Sequence, residues 1–113
     1  MTLARLTIAL LLGALSGAAW GTHETISHHW AAFQALHPNA NPNFWNPAVS
    51  WETTKTVLGY KFDAKHLLAS LAQVACIGGG AMVGYGVESW RGRGLLFGCF
   101  ALGYIVSNLI AFK

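Results

Sequence analysis

The sequence predicts an all-α integral membrane protein with three transmembrane helices, an extracytoplasmic amphipathic helix and a Pro/Asn/Trp-rich loop. Three observations support this fold class: long apolar segments recur, charged residues are scarce, and basic residues stand at the ends of the apolar segments. Only 10% of the 113 residues are charged and 54% are hydrophobic, whereas a soluble domain has about a quarter charged residues. Much of the surface is therefore expected to face lipid, and the length suits one membrane domain, residues 1–113.

The basic residues are too few and too scattered for nucleic-acid binding. The net charge is +3 and there is no run of Lys or Arg, so no nucleic acid is expected as a partner. The positive charge instead fits the positive-inside rule, with a bacterial inner membrane as the expected environment. Cys76 and Cys99 both lie inside apolar runs, which argues against a disulfide framework or a zinc ribbon.

The first predicted span covers residues 3–20. These 18 residues carry one charge, Arg5, near the start, and at ~1.5 Å per residue they extend for roughly 27 Å, enough to cross a hydrocarbon core. The stretch also has the features of a signal peptide, in which Gly17 and Ala19 would form the cleavage site. We favour a retained signal anchor over cleavage. Both interpretations place Arg5 in the cytoplasm and Thr22 outside.

The extracytoplasmic segment, residues 21–65, begins with a predicted amphipathic helix from Thr22 to His37. Thr22 is a suitable N-cap, and Glu24 lies in the first turn, where the helix dipole favours an anion. The apolar side of this helix shows helical spacing at Ile26, Trp30 and Phe33. Pro38 is expected to end the helix.

The stretch after Pro38 is rich in proline and asparagine. That composition predicts turns and extended backbone rather than helix. Its large aromatic residues suit the headgroup layer, where a ring has one apolar side and one wet edge. The aromatic residues predicted to form interfacial or structural contacts are Trp30, Phe44, Trp45 and Trp51.

The second and third predicted spans cover residues 66–87 and 95–112. The tight turn between them, residues 88–94, carries Arg91 and Arg93, one of which is expected to pair with Glu88. Two arginines place this turn in the cytoplasm, in agreement with Arg5. The N-terminus is thus predicted to be cytoplasmic, and residues 21–65 and the C-terminus extracytoplasmic.

Small residues recur every four positions in each span, a pattern that lets helix backbones approach closely in lipid. The first ridge has Ala9, Gly13 and Gly17, the second has Ala72, Cys76, Gly80 and Gly84, and the third has Cys99, Gly103, Ser107 and Ala111. These ridges predict a tight bundle or an oligomer, with Gly80, Gly84 and Gly103 as interface residues.

All five histidines lie on one side of the predicted membrane, although their spacing matches no standard metal motif. Imidazole and carboxylate groups together suit zinc, iron or copper, and on a helix Asp63 and His66 would share one face. A transition-metal site is one hypothesis, and its candidate ligands are His28, His29, His37, Asp63 and His66. The alternative is that the histidines bond turns and headgroups, while Asp63 is the N-cap of the second span.

A distinctive set of residues surrounds the predicted loop and the start of the second span: Phe44-Trp45-Asn46-Pro47, Ser50-Trp51, Lys55, Asp63-Ala64 and His66. With this set, residues 23–68 resemble a family of small bacterial integral membrane proteins that have an FWNP-x-x-SW segment, a lysine and a D-A-W-H-L segment. Members also have an upstream histidine, which His28 or His29 would match. Lys65 stands where the family has tryptophan, and Lys55 lies one residue further from Trp51 than in the family. The resemblance implies a shared fold for the loop and second span, and no activity.

The sequence contains no P-loop, GxSxG, zincin or CxxCH motif. The leading hypothesis is therefore a small non-enzymatic subunit, or an assembly or stabilising factor, of a larger membrane protein complex. Its expected partners are the lipid bilayer and either other membrane subunits or a second copy of itself. The competing hypothesis is a metal- or cofactor-binding membrane protein, or an enzyme, that uses the histidines and Asp63.

Overall fold

A computed structural model describes residues 2–53, 56–57, 60–84 and 89–111. In chain order the elements are α1 (Leu3–His28), α2 (Trp30–Leu36), α3 (Pro42–Trp45), α4 (Pro47–Thr53), β1 (Thr56–Val57), β2 (Tyr60–Lys61), α5 (Ala64–Gly84) and α6 (Trp90–Ala111). The two short strands pair antiparallel. The predicted all-α class is confirmed. Lys55, Glu88 and the far ends of the second and third predicted spans lie outside the described residues.

The first helix is longer than predicted, because it continues without a break to His28. The prediction of a separate helix starting at Thr22 is wrong: Thr22 lies inside α1, and its hydroxyl donates to the carbonyl oxygen of Ala18 at 2.8 Å. Glu24 is likewise far from the first turn. No proline interrupts this stretch, and the Thr25 hydroxyl also bonds back to the preceding turn, at Gly21, so the helix can propagate. The break comes at His29, and α2 is only 7 residues long.

The asparagine–proline pairs start short helices, where the composition predicted turns and extended backbone. Asn41 caps α3 by accepting a hydrogen bond from the backbone N–H of Asn43 at 3.0 Å, with Pro42 in the first turn. Asn46 does the same before α4, accepting from the N–H of Ala48 at 3.1 Å. Asparagine at the N-cap followed by proline at the first helical position is a favoured helix start. The prediction was wrong because it treated both residues only as turn formers.

The three long helices pack with α1 in the middle. Along α6 the contacts advance with α1, since Gly13 lies against Phe100 and Gly17 against Tyr104, so these two helices run parallel. Against α5 the direction reverses, because Ile26 clusters with Ala64 at one end of α1. Near the other end, Leu6 and Met82 pack on the same buried cluster. The chain therefore passes up, down and up through the bundle.

The α1–α6 contact is a backbone-to-backbone contact between two small-residue ridges. A Cβ atom added to Gly13 or Gly17 would lie closer than 3.0 Å to the carbonyl of Phe100 or Tyr104, respectively. From the other side, a Cβ on Gly103 would lie closer than 3.0 Å to backbone atoms of α1. Such close approach needs residues without a side chain at the crossing. Gly103 therefore has the interface position that its four-residue spacing predicted.

On α5 the packed side coincides with the predicted ridge at Ala72 and Cys76, which lie against Ser16 of α1, and departs from it further along the helix. Ala72 and Ala75 are buried, and Gly79 lies against the ring of Phe100, where an added Cβ would come within 2.5 Å of ring atoms. Gly80, which was predicted as an interface residue, has no atom within 4 Å of an added Cβ and lies at the open edge of a groove that Phe97 and Phe100 of α6 also line. Gly84, the other predicted interface residue of this helix, is the last residue of α5.

Two described helices, α1 and α6, are long and apolar enough to cross a membrane, with mean hydropathies of 1.6 and 1.8 over their best windows. Both expose large apolar side chains. Those on α6 include Leu95, Phe97, Leu102, Ile105, Leu109 and Ile110. Arg91 and Arg93 lie in the first turn of α6, which begins at Trp90, so residues 90–94 of the predicted turn are helical.

The connection between α1 and α5, residues 29–63, folds back on the ends of these helices. Ile26, Phe33 and Ala64 form a buried cluster, onto which partly buried side chains pack. These packed side chains are Trp30, Ala40, Phe44, Trp45 and Leu68. The aromatic residues of the connection thus form a small core of their own at one end of the bundle.

Candidate functional site

The Asp63 carboxylate is the centre of a buried polar network where the connection enters α5. Asp63 is 1% exposed. Its Oδ2 accepts from the hydroxyl of Ser50 at 2.8 Å, and its Oδ1 accepts from the backbone N–H of His66 at 3.0 Å. The ring Nδ1 of His66 lies 2.5 Å from the same Oδ1. Asp63 therefore caps α5, as one of the two interpretations of the sequence predicted, and also pairs with the ring of His66.

Burial by itself would raise the pKa of Asp63, because it disfavours the charged form. The hydrogen bonds from the His66 backbone, the His66 ring and the Ser50 hydroxyl outweigh this and lower the pKa below its usual value. The carboxylate is thus ionised and can only accept, so Nδ1 of His66 carries a proton. The Nε2 atom makes no hydrogen bond to a described residue, and the His66 side chain is 43% exposed. The arrangement holds one imidazole with a fixed orientation and one free nitrogen.

The short β ladder supports this network from the side. The hydroxyl of Tyr60 donates to the carbonyl oxygen of His66 at 2.8 Å and lies 2.6 Å from the hydroxyl of Ser70. Next along the chain, Lys61 donates to the backbone carbonyl of Trp51 and lies 4.6 Å from the centre of its ring. Ser50 was marked in the sequence only as part of the FWNP-x-x-SW resemblance, and Tyr60 was not marked at all. Their positions depend on chain reversals that local spacing does not reveal.

The remaining histidines are distributed along α1 and α2. His23, which was not among the predicted ligands, is buried, stacks on Trp20 at 4.5 Å between ring centroids and lies 3.2 Å from Glu24. His28 is exposed and reaches the other oxygen of Glu24 at 3.4 Å. The signal for His23 was its helical spacing of three from Trp20, which becomes visible only when α1 is extended past residue 20.

The five predicted metal ligands are not brought together. Asp63 lies beside His66, His28 reaches only Glu24, and His37 stacks against Phe33 at 4.7 Å. His29 lies at the break between α1 and α2. Among the described residues, no three His, Cys, Asp or Glu side chains lie close enough to hold a metal ion. The described residues therefore provide an oriented imidazole and buried hydrogen bonds, and they do not form a multidentate set of metal ligands.

The predicted interfacial aromatics divide into two groups. Trp30, Phe44 and Trp45 pack on the buried cluster at the end of the bundle, and the rings of Phe33 and Trp45 are 5.4 Å apart. Trp51 is 68% exposed, so it alone of the four presents most of its ring to the surroundings.

A cavity of about 650 Å³ lies between the aromatic cluster and the ends of α1 and α6. Its walls include Thr22 and Thr25 of α1, Phe33 and Trp45 of the connection, and Ile110 of α6. No Asp, Glu, Lys or Arg is among the described residues that line it. The volume falls in the range of small-molecule sites, and the polar side chains that line it include His37 and Asn39.

The outward side of α5 carries the other feature that the packing leaves unexplained. Gln73 is exposed and makes no hydrogen bond to a described residue. Val74 and Ile77 next to it are 66% and 72% exposed. Asn108 on α6, by contrast, donates to the carbonyl oxygen of Gly17 at 3.3 Å. The amide of Asn108 is therefore hydrogen-bonded inside the bundle, whereas the amide of Gln73 points away from it.

No model of a protein family, no curated protein and no solved structure matches this chain. The resemblance to the family with the FWNP-x-x-SW segment stays a prediction.

Proposed function

We propose that this chain is a small non-enzymatic subunit, or an assembly factor, of a larger membrane protein complex. In this proposal α1, α5 and α6 all cross the bilayer, and the segment between α1 and α5 is extracytoplasmic. The up-down-up order of the helices supports three crossings. The single basic residue at the start of α1 and the two at the start of α6 support a cytoplasmic N-terminus.

The observation that carries the proposal is the unpartnered amide of Gln73 on the outward side of α5. In lipid an unpaired polar group is costly, and a helix that exposes one tends to associate with another helix. The contrast with Asn108, whose amide is satisfied inside the bundle, supports a surface reserved for another chain. The described polar network at Asp63 has the features of a structural support, because its carboxylate oxygens are occupied by hydrogen bonds from the protein itself.

Isolation of the protein from native membranes in a mild detergent tests this function. We expect it to migrate in a complex larger than its own oligomers, together with other membrane proteins that mass spectrometry can identify. Migration as a monomer or as a homo-oligomer alone would contradict the proposal. Stoichiometric metal that is lost in a His66→Ala variant would instead favour the metal-binding alternative.

Cysteine labelling tests the proposed topology independently. In a variant with Cys76 and Cys99 replaced by alanine, single cysteines at His37 and at Trp90 should react from opposite sides of the membrane. Both positions are exposed, so each should be labelled once the membrane is permeabilised. Labelling of both from the same side in intact cells contradicts three crossings.

A further inference from the structure

The polar group on the outward side of α5 lies inside the hydrocarbon core if this helix crosses the bilayer. Gln73 is seven positions after His66, where the predicted span begins. At ~1.5 Å per residue this separation is roughly 10 Å, about two thirds of the way to the centre of a core of about 30 Å. At that depth neither water nor lipid headgroups can satisfy the amide, so its partner has to come from protein.

The neighbours of Gln73 on the same side of α5 form a surface suited to another helix. Ile77 and Gly80 follow at intervals of four and three residues, which places them on the Gln73 side of the helix. Ile77 is 72% exposed, and Gly80 has no atom within 4 Å of an added Cβ. The packed side of α5, with Ala72 and Ala75, faces α1 instead. An open glycine one to two turns from an unpaired amide lets a second backbone approach.

We propose that the occupant of this surface is the α5 helix of a second copy of this chain, with Gln73 paired to Gln73 across a two-fold axis along the membrane normal. A carboxamide both donates and accepts, so two identical side chains satisfy each other. The two-fold axis brings identical residues together at identical depth, because such an interface uses the same patch on both copies. Gly80 then faces Gly80 further along the same helices.

The exposed polar residues of the other two long helices lie near the helix ends among the described residues: Thr7 is four positions after the start of α1, and Arg91 is in the first turn of α6. Beyond that turn, the outward side of α6 presents apolar side chains and glycine, such as Phe97, Gly98 and Leu102, for which lipid is a sufficient neighbour. On α1, Ser16 donates to the carbonyl oxygen of Ala72 at 2.9 Å and is thus used inside the bundle. The proposal therefore assigns α5, and neither α1 nor α6, to the contact between copies.

Disulfide cross-linking in native membranes tests the contact between the two copies. This proposed contact rests on the proposed crossing of the membrane by α5. In a full-length chain with Cys76→Ala and Cys99→Ala, an Ile77→Cys variant should form cross-linked dimers on mild oxidation. Leu71→Cys is the matched control, because Leu71 is also exposed on α5 but lies about a third of a turn around the helix from Ile77 and nearly opposite Gln73. Equal cross-linking at both positions, or none at Ile77→Cys, would overturn the proposal.

The amide is tested by adding Gln73→Leu or Gln73→Asn to the Ile77→Cys variant. An interhelical hydrogen bond in a membrane changes association by about fivefold. The dimerisation constant, measured by energy transfer between labelled copies diluted in lipid vesicles, should therefore fall by about that factor with leucine and recover with asparagine. An unchanged constant with leucine would contradict the role of Gln73. Unaltered thermal unfolding of Gln73→Leu is expected, since the side chain contacts no described residue by a hydrogen bond.

The composition of the native complex separates this inference from the proposed function. A larger complex that contains one copy of the chain would support the proposed function and overturn the homotypic contact. A dimer with no other subunit would support the contact and overturn the proposed function. Two copies within a larger complex, cross-linked through position 77, support both.

Discussion

Replacement of Gly103 by alanine is expected to force α1 and α6 apart. A Cβ at this position would lie 2.9 Å from the backbone nitrogen of Ala14, and ordinary van der Waals contact begins at 3.4 Å. The carbonyl oxygen of Leu10 lies closer still to this Cβ, so the helices must separate by about 1 Å at this crossing. Neither neighbour can relieve the clash by a rotamer change, because both contacted residues, Leu10 and Ala14, contribute backbone atoms.

The energetic cost follows from the packing lost along the crossing. A gap of about 0.5–1 Å forfeits a quarter to a half of each atom–atom attraction, which is about 0.1–0.2 kcal/mol per pair. With on the order of 50 atom pairs at the crossing, Gly103→Ala should lower the free energy of unfolding by about 2 kcal/mol, in the range seen for overpacked cores.

Gly98→Ala is the matched control, since it makes the same chemical change on the same helix. An alanine Cβ at Gly98 meets no atom within 4 Å. Gly98→Ala should be neutral or stabilising by up to about 1 kcal/mol, because alanine has the higher helix propensity. Reversible unfolding in mixed detergent micelles, followed by circular dichroism, measures both variants. Equal stabilities of the two variants would refute the close backbone contact between α1 and α6.

The polar contacts give four further expectations. Asp63→Ala should destabilise the protein by about 3 kcal/mol in the same unfolding assay, because it removes the cap of α5 and leaves the buried Ser50 hydroxyl without its acceptor; a loss under 1 kcal/mol would contradict the network. Because the pKa of Asp63 is lowered on folding, the stability that its carboxylate contributes is complete above about pH 4 and is lost as pH falls through the folded pKa. An acid titration followed by tryptophan fluorescence should show this loss of stability in the native protein, and the loss should be absent in Asp63→Asn. Tyr60→Phe should cost about 1 kcal/mol and raise amide exchange at the start of α5, and unchanged exchange would contradict it. Ser16→Ala, which removes the hydrogen bond to Ala72, should cost only about 0.6 kcal/mol, so a loss as large as that of Gly103→Ala would show that the hydrogen bond and not packing holds α1.

Much of the helical architecture could be predicted from local features of the sequence. Apolar length alone indicates the three long helices, because a hydrocarbon-facing backbone has to satisfy its hydrogen bonds within the helix. The cap at Asp63 was also visible, since an aspartate three residues before His66 can reach the free N–H groups of a helix start. The four-residue spacing of small residues correctly placed Gly103 at an interface.

Some predictions of local structure were wrong because one residue type can make two different kinds of local hydrogen bond. Thr22 fits an N-cap, but inside a helix its hydroxyl bonds the preceding turn equally well, and nothing nearby ended α1. Asn41 and Asn46 suit turns, but before proline they start helices. Sequence spacing could not choose between these uses, because each satisfies the same local hydrogen-bonding groups.

The sequence by itself determined the position and apolar character of the long helices and the local cap of α5, because these depend on residues within one or two turns of one another. Only the tertiary structure decided which side of α5 packs, leaving Gly80 open and Gly79 against Phe100. It also decided that Ser50 reaches Asp63 and that the predicted metal ligands lie apart. These contacts depend on how each helix is rotated about its axis and on where the chain reverses. The sequence of α5 does not specify its rotation, because small residues occur on several sides of the helix. The role proposed for Gln73 depends on the tertiary structure in the same way. The sequence contains the amide, and the packing of α5 against α1 leaves that amide facing outward.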